Sequence, residues 1–227
     1  MQRIFQLMLP LVLFVSIGAT SCKKGEKINI FSIEDDKALG LQLSEEIAAN
    51  PSEYPLLSES QYPGAYSYLI GIRDKLLNSG EVKYKDEFSW PLKIIQDDST
   101  LNAFAAPGGY IYVFTGLIKY LDSEDELAGV LGHEIAHADR RHSTSQLTKQ
   151  YGIVTLLQAA AGDNPGLMAQ VAASLISLKF SRSDESEADE YSVIYLCPTD
   201  YNAAGAAGFF EKIEAFIDFF QRKLIFL

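Results

Sequence analysis

The 227-residue chain has little cysteine, few histidines and no surplus of positive charge. Its two cysteines are Cys22 and Cys197. Cys22 closes an apolar leader, so a processed chain keeps only Cys197 as a thiol. An intramolecular disulfide, a dithiol redox centre and a cysteine-ligated metal are excluded on that count. Cys197 follows the apolar run 193–196 and reads as a buried core thiol. Lys and Arg number 19 against 30 Asp and Glu, a formal net charge of −11, and no basic patch gathers them. Nucleic acid is therefore not expected as a partner. Long apolar runs are missing as well. The leader's apolar core at 4–17 is shorter than the roughly 20 residues a spanning helix needs, and Gln158, Gln170, Ser174 and Ser177 interrupt the apolar stretches further on. No internal repeat or low-complexity linker divides the remainder, which suits one domain with one sizeable core.

All three histidines lie in one neighbourhood, and two of them form His133-Glu134-Ile135-Ala136-His137. On a helix, residues four apart share a face, so the two imidazoles can reach one metal ion. Glu134 sits beside that face, placed to take a proton from water. Ser123 ahead of Glu124-Asp125-Glu126 supplies a cap and acidic residues at the positive helix end, while Leu127, Val130, Leu131 and Ile135 give the helix a buried side. A helix over about 123–145 follows, and in a continuing helix His142 is turned to the far side. Zinc needs a third protein ligand while keeping a position open. A longer pattern with a third His is ruled out by Ser143 and Arg140 at its fixed positions. Glu or Asp must supply the third.

The best source is 181–190, an acidic cluster between apolar stretches. On a helix Glu185 and Asp189 share a face, and one can ligate while the other accepts the free N–H of a ligating imidazole. Glu187 lies about 200° around from Glu185 at 3.6 residues per turn and is expected to face solvent. Together with 102–109, these blocks resemble the M48 family of zinc metallopeptidases, over approximately residues 35–215. The resemblance implies a mainly α (α+β), gluzincin-like domain and one Zn2+ per chain. His133, His137 and Glu185 would be its ligands, with Glu134 as general base and Asp189 on a ligand His. It further implies that Asn102, Ala103, Phe104 and Ala105 form an edge strand for an extended substrate; an ordinary core hairpin is the alternative there. By the same resemblance the substrates are unfolded or misassembled envelope proteins, cut by metal-activated water. A zinc-binding envelope chaperone with weak or no proteolysis is the alternative. An envelope assembly machinery or a repeat protein is a further partner to consider.

Along the chain, residues 1–22 read as a signal with a positive Arg3, an apolar core and small residues ending in Cys22, like a bacterial lipobox. The expectation is a lipid on Cys22, a membrane attachment through it, and a periplasmic domain at the outer membrane. Residues 23–33 form a tether, and 34–227 one peptidase-like domain that the resemblance suggests is incomplete at its C-terminus. Helices are expected at 34–49 and from Pro63 to 79, then a small antiparallel sheet over 92–115. A short helix at 116–120, the histidine helix, apolar helices at 146–161 and 167–180, the acidic helix at 185–196 and a closing helix at 203–220 complete the order.

Overall fold

The computed structural model describes residue 29, residues 31–162 and 164–204, and residue 208. The leader ending at Cys22, most of the tether and nearly all of the closing helix lie outside the described residues. Helix α1 (Ile33–Ala49) starts where Ser32 accepts from the Asp35 N–H and the Asp35 carboxylate accepts in return, a reciprocal cap. It buries Leu39, Leu43 and Ile47, one face at four-residue spacing. Helix α2 (Pro63–Leu77) opens on a proline, whose fixed φ suits a first turn, and buries Tyr66, Leu69, Ile72 and Leu76.

Strands β1 (Leu92–Ile95), β2 (Ala103–Ala106) and β3 (Tyr110–Phe114) form one sheet in the order β1-β3-β2. β2 runs antiparallel to β3, but β1 runs parallel to it. The sheet is therefore mixed, not antiparallel as expected. The chain passes from β1 to the far side of β3 before making β2. It then reverses through Pro107-Gly108-Gly109, so β3 re-enters the middle in the direction of β1. That reversal uses φ of 75° at Gly108 and 84° at Gly109, backbone that a side chain would strain. Residues 55–57 line the outer edge of β1, with Leu57 N–H donating to the Ile94 carbonyl at 2.9 Å. β2 is the other edge.

Both sheet faces are buried, so side chains alternate between two cores. Leu92, Ile94, Ala105, Ile111 and Val113 pack with α2 and with α4 (Glu124–Asp139) and α8 (Arg182–Leu196). Ile95, Phe104, Tyr112 and Phe114 pack with α1 and with α5 (His142–Tyr151), α6 (Ile153–Ala160) and α7 (Pro165–Ile176). Helix α3 (Thr115–Tyr120) links β3 to α4. Mainly helical with a small sheet beside the histidine helix, this is the gluzincin-like arrangement. Among the described residues, no helix is long and apolar enough to cross a membrane.

Three details depart from expectation. The histidine helix ends at Asp139, Arg141 takes the left-handed conformation at φ 60°, and α5 starts anew at His142. The apolar stretch that follows is divided again at Gly152, φ 81°. Cys197 is exposed, because α8 turns Tyr195 and Leu196 into the core and leaves the next residue at its rim.

The turn after β2 is held by α1 at Gly40, where a Cβ would come within 2.0 Å of the Pro107 carbonyl oxygen. That neighbour is backbone and must move. Gly40→Ala is expected to cost about 1–3 kcal/mol, as overpacking does, despite the better helix propensity of Ala. Thermal unfolding of the two proteins checks it; equal midpoints would show that α1 shifts freely.

Candidate active site

Helix α4 is started by Ser123, whose side chain accepts from the Glu126 N–H. At its middle it meets α8 through small residues. Ser192 Oγ donates to the Gly129 carbonyl at 2.9 Å, and a Cβ at Gly132 would lie 2.8 Å from that same oxygen. Because only the small Ser192 hydroxyl stands between the helices here, the carboxylates one and two turns earlier on α8 reach the histidines of α4. α8 itself begins with a reciprocal cap between Ser181 and Asp184.

His133 Nε2, His137 Nε2 and Glu185 Oε2 converge. The separations are 2.9 Å between the two nitrogens, 3.4 Å from His133 to Glu185 and 3.8 Å from His137 to Glu185. A tetrahedral zinc with bonds of about 2.0–2.2 Å places its ligand atoms about 3.3–3.6 Å apart. The observed values bracket this, and the donor set of two imidazoles and a carboxylate is one that zinc takes. These three residues form a group able to hold a metal ion. The opposite nitrogen of His133, Nδ1, lies 3.0 Å from Asp189 Oδ1, so its N–H donates there, and in the neutral ring the Nε2 lone pair faces the centre.

The electrostatics favour a cation at that point. The imidazoles of His133, at 3.4 Å, and of His137, at 3.8 Å, face the Glu185 carboxyl and hold it far below the usual carboxylate range. Burial works against protonated His133, yet the Asp189 and Glu185 carboxylates outweigh it and push the imidazole up to about 9. Burial lowers His137, so the two rings are made unequal. Glu134 is pushed up to about 7, chiefly by burial, with His133 opposing, and its carboxylate accepts the Ala105 N–H.

The cleft at this centre has a volume of about 190 Å³, bounded by β2 on one side and by Leu175, Ile176, Leu178 and Phe180 on the other. All four residues expected to form the edge, Asn102 to Ala105, line it. The pairing of Phe114 N–H with the Asn102 carbonyl, continued in register, points the Phe104 backbone at β3 and turns those of Ala103 and Ala105 toward the cleft. Ala105 is already engaged, its N–H by Glu134 and its carbonyl by Ser143 Oγ at 2.7 Å. Ala103 is thus the position whose outward groups, among the described residues, carry no such partner.

Two groups stand where the sequence did not put them. His142 is buried beside His137, their Nδ1 atoms 3.0 Å apart, instead of on the far side of a longer helix. Glu187 does not face open solvent: its oxygens meet Arg140 Nε at 2.7 Å and His142 Nε2 at 3.2 Å. The chain folds back at Arg141 and covers that side of α8, which helical periodicity alone does not reveal. Phe180 carries no local sequence signal of its place here; its ring stacks on His137 at a centroid distance of 4.0 Å.

The family model for peptidase family M48 matches residues 67–222, which hold both helices of this centre. The chain belongs to peptidase family M48. The chain is similar to the mitochondrial metalloendopeptidase OMA1 of Schizosaccharomyces pombe, 28% identical over 192 residues, covering 83% of this chain and 55% of that protein. Metalloprotease LoiP of Escherichia coli is 27% identical over 197 residues, 83% of this chain and 73% of the relative. A beta-barrel assembly-enhancing protease of Yersinia pestis is 26% identical over 200 residues, 80% of this chain and 38% of the relative. The chain thus spans about half of the fission-yeast protein and, at 26%, a smaller part still of the Arabidopsis thaliana OMA1.

Proposed function

We propose that this domain is a zinc-dependent endopeptidase of the bacterial envelope, with unfolded or misassembled envelope proteins as substrates. The observation that carries the reading is the convergence of His133 Nε2, His137 Nε2 and Glu185 Oε2 beneath Glu134 in a cleft walled by a strand edge. His133, His137 and Glu185 would hold one Zn2+, which supplies Lewis-acid polarisation of water and of the scissile carbonyl. Asp189 keeps His133 in the tautomer that offers Nε2. Glu134 takes the proton of the attacking water and returns it to the departing amine. A carboxyl near 7 suits both halves of that task at neutral pH. The substrate backbone pairs with the edge at Ala103, so that recognition rests on main chain and tolerates many side chains. Names of relatives such as the Y. pestis protein support the envelope setting. Lipid attachment through Cys22, with the domain on the periplasmic side of the outer membrane, belongs to the same proposal.

The test is metal content together with cleavage. Purified protein is expected to carry about one zinc per chain, as expected for a single three-ligand site, and to cleave casein in a chelator-sensitive manner. His133→Ala His137→Ala should lose both. Wild-type protein without zinc, or a double mutant that keeps it, overturns the assignment. For the anchor, palmitate-analogue labelling that persists in Cys22→Ser would refute attachment at that residue.

A further inference from the structure

We propose that His142, itself seated by Glu187, is the positioning residue that fixes the ring and tautomer of His137. The inference rests on the metal reading above and extends it to two residues outside the donor set. For His137 to present the Nε2 lone pair to a cation, its proton must sit on Nδ1 and be donated away from the centre. The atom in position to accept it is His142 Nδ1, at 3.0 Å. An imidazole that accepts through Nδ1 and is neutral carries its proton on Nε2. That N–H then donates to Glu187 Oε2 at 3.2 Å, while the other Glu187 oxygen accepts from Arg140 Nε at 2.7 Å. Asp184 Oδ1, 3.9 Å from His142 Nε2, is too far for a hydrogen bond.

The protons along His137, His142 and Glu187 are thereby all assigned by one end condition. His137 is 2% and His142 1% exposed, so bulk water cannot replace the link. Phe180 stacks on the His137 ring and restricts its plane. α8 thus supports both histidines, His133 directly through Asp189 and His137 through Glu187 and His142. The left-handed break at Arg141 brings His142 back into reach.

The experiment compares zinc affinity, by competition with a chromophoric chelator, and the imidazole tautomers of the metal-free protein by 15N NMR. Wild type is expected to show His137 protonated at Nδ1. His142→Leu, which keeps bulk but removes the acceptor, should mix the His137 tautomers and weaken zinc about 10- to 100-fold. His142→Asn, which restores an acceptor near the Nδ1 position, should recover most of the affinity, an outcome that a purely packing role would not give. Glu187→Gln should weaken zinc in the same direction by a smaller factor. A folded His142→Leu with wild-type zinc affinity, or an Asn variant no better than Leu, overturns the inference. If His142→Leu does not fold, Glu187→Gln decides, and unchanged affinity there refutes the relay. Zinc lost in His133→Ala His137→Ala but untouched in the His142 and Glu187 variants removes this inference alone. Zinc absent from wild type removes the metal reading and this with it.

Discussion

Glu134→Gln is expected to lower peptidase kcat by about 10²- to 10⁴-fold, the usual contribution of a positioned general base, while zinc stays at wild-type level. Gln keeps the volume of Glu and can still accept the Ala105 N–H, so the local packing survives. It cannot take a proton at neutral pH. The group of His133, His137 and Glu185 does not include residue 134, so metal retention separates loss of the base from loss of the site. Burial strengthens the expectation: a carboxyl held up to about 7 is a better base than one in water. Casein turnover and zinc content on the same preparations give the answer. A Gln variant within tenfold of wild type would place the base elsewhere. If neither protein cleaves and both suppress aggregation of an unfolded client, the enzyme assignment is wrong and a holding function takes its place.

The parts of this centre that were legible in the sequence are those set by one helix at a time. His133 and His137 share a face because four residues make about one turn, and Glu185 and Asp189 do so for the same reason. The caps at Ser123 and Ser181 fix where each helix begins, and so which face each residue takes. That α8 meets α4 depends on Gly129, Gly132 and Ser192, small residues whose pattern permits a close approach without naming the partner. The parallel pairing of β1 with β3 was not legible, because strand order is decided by where the chain crosses, and the local alternation of Leu92 to Ile95 is the same in either direction. The break at Gly152 had a glycine to announce it. The break at Arg141 did not, since Arg is a good helix former and adopts a left-handed backbone only at a cost. The group that holds it there, Asp36, is 105 positions away in the chain. The misplacement of His142 and Glu187 follows from that one residue.

Arg141→Ala is accordingly expected to be the most destabilising single change proposed, by about 3–5 kcal/mol, the cost of stripping a buried ion of its partner. Asp36 is 1% exposed; its oxygens accept from Arg141 Nε at 2.5 Å and from Thr144 Oγ1 at 2.8 Å. Arg141 also donates to the carbonyls of Phe31 and Ser32 at the start of α1. Losing it leaves the Asp36 carboxylate with Thr144 and takes a donor from the Phe31 carbonyl, while the Ser32 carbonyl keeps the Asp36 N–H at 3.2 Å; the melting temperature should fall by roughly 6–20 °C for a domain of this size. Arg141→Gly loses the same contacts but relaxes the left-handed backbone, so it should be milder than Ala by about 1 kcal/mol. The pH dependence has a definite sign. Burial outweighs the guanidinium and raises the Asp36 carboxyl above its ordinary value, so the folded chain holds this proton to a higher pH than the unfolded chain. Stability from this group is therefore fully present below the ordinary carboxyl value of 3.8 and is lost as pH rises through the higher folded value. Without Arg141 the carboxyl should rise further, and protonation then removes the unpaired charge. The gap between wild type and Arg141→Ala should shrink on acidification. Thermal unfolding of wild type, Arg141→Ala and Arg141→Gly at neutral and mildly acidic pH tests all of this. An Ala variant as stable as wild type, or a gap that widens toward acid, would show that the Asp36–Arg141 pair does not hold the turn that returns His142 to His137.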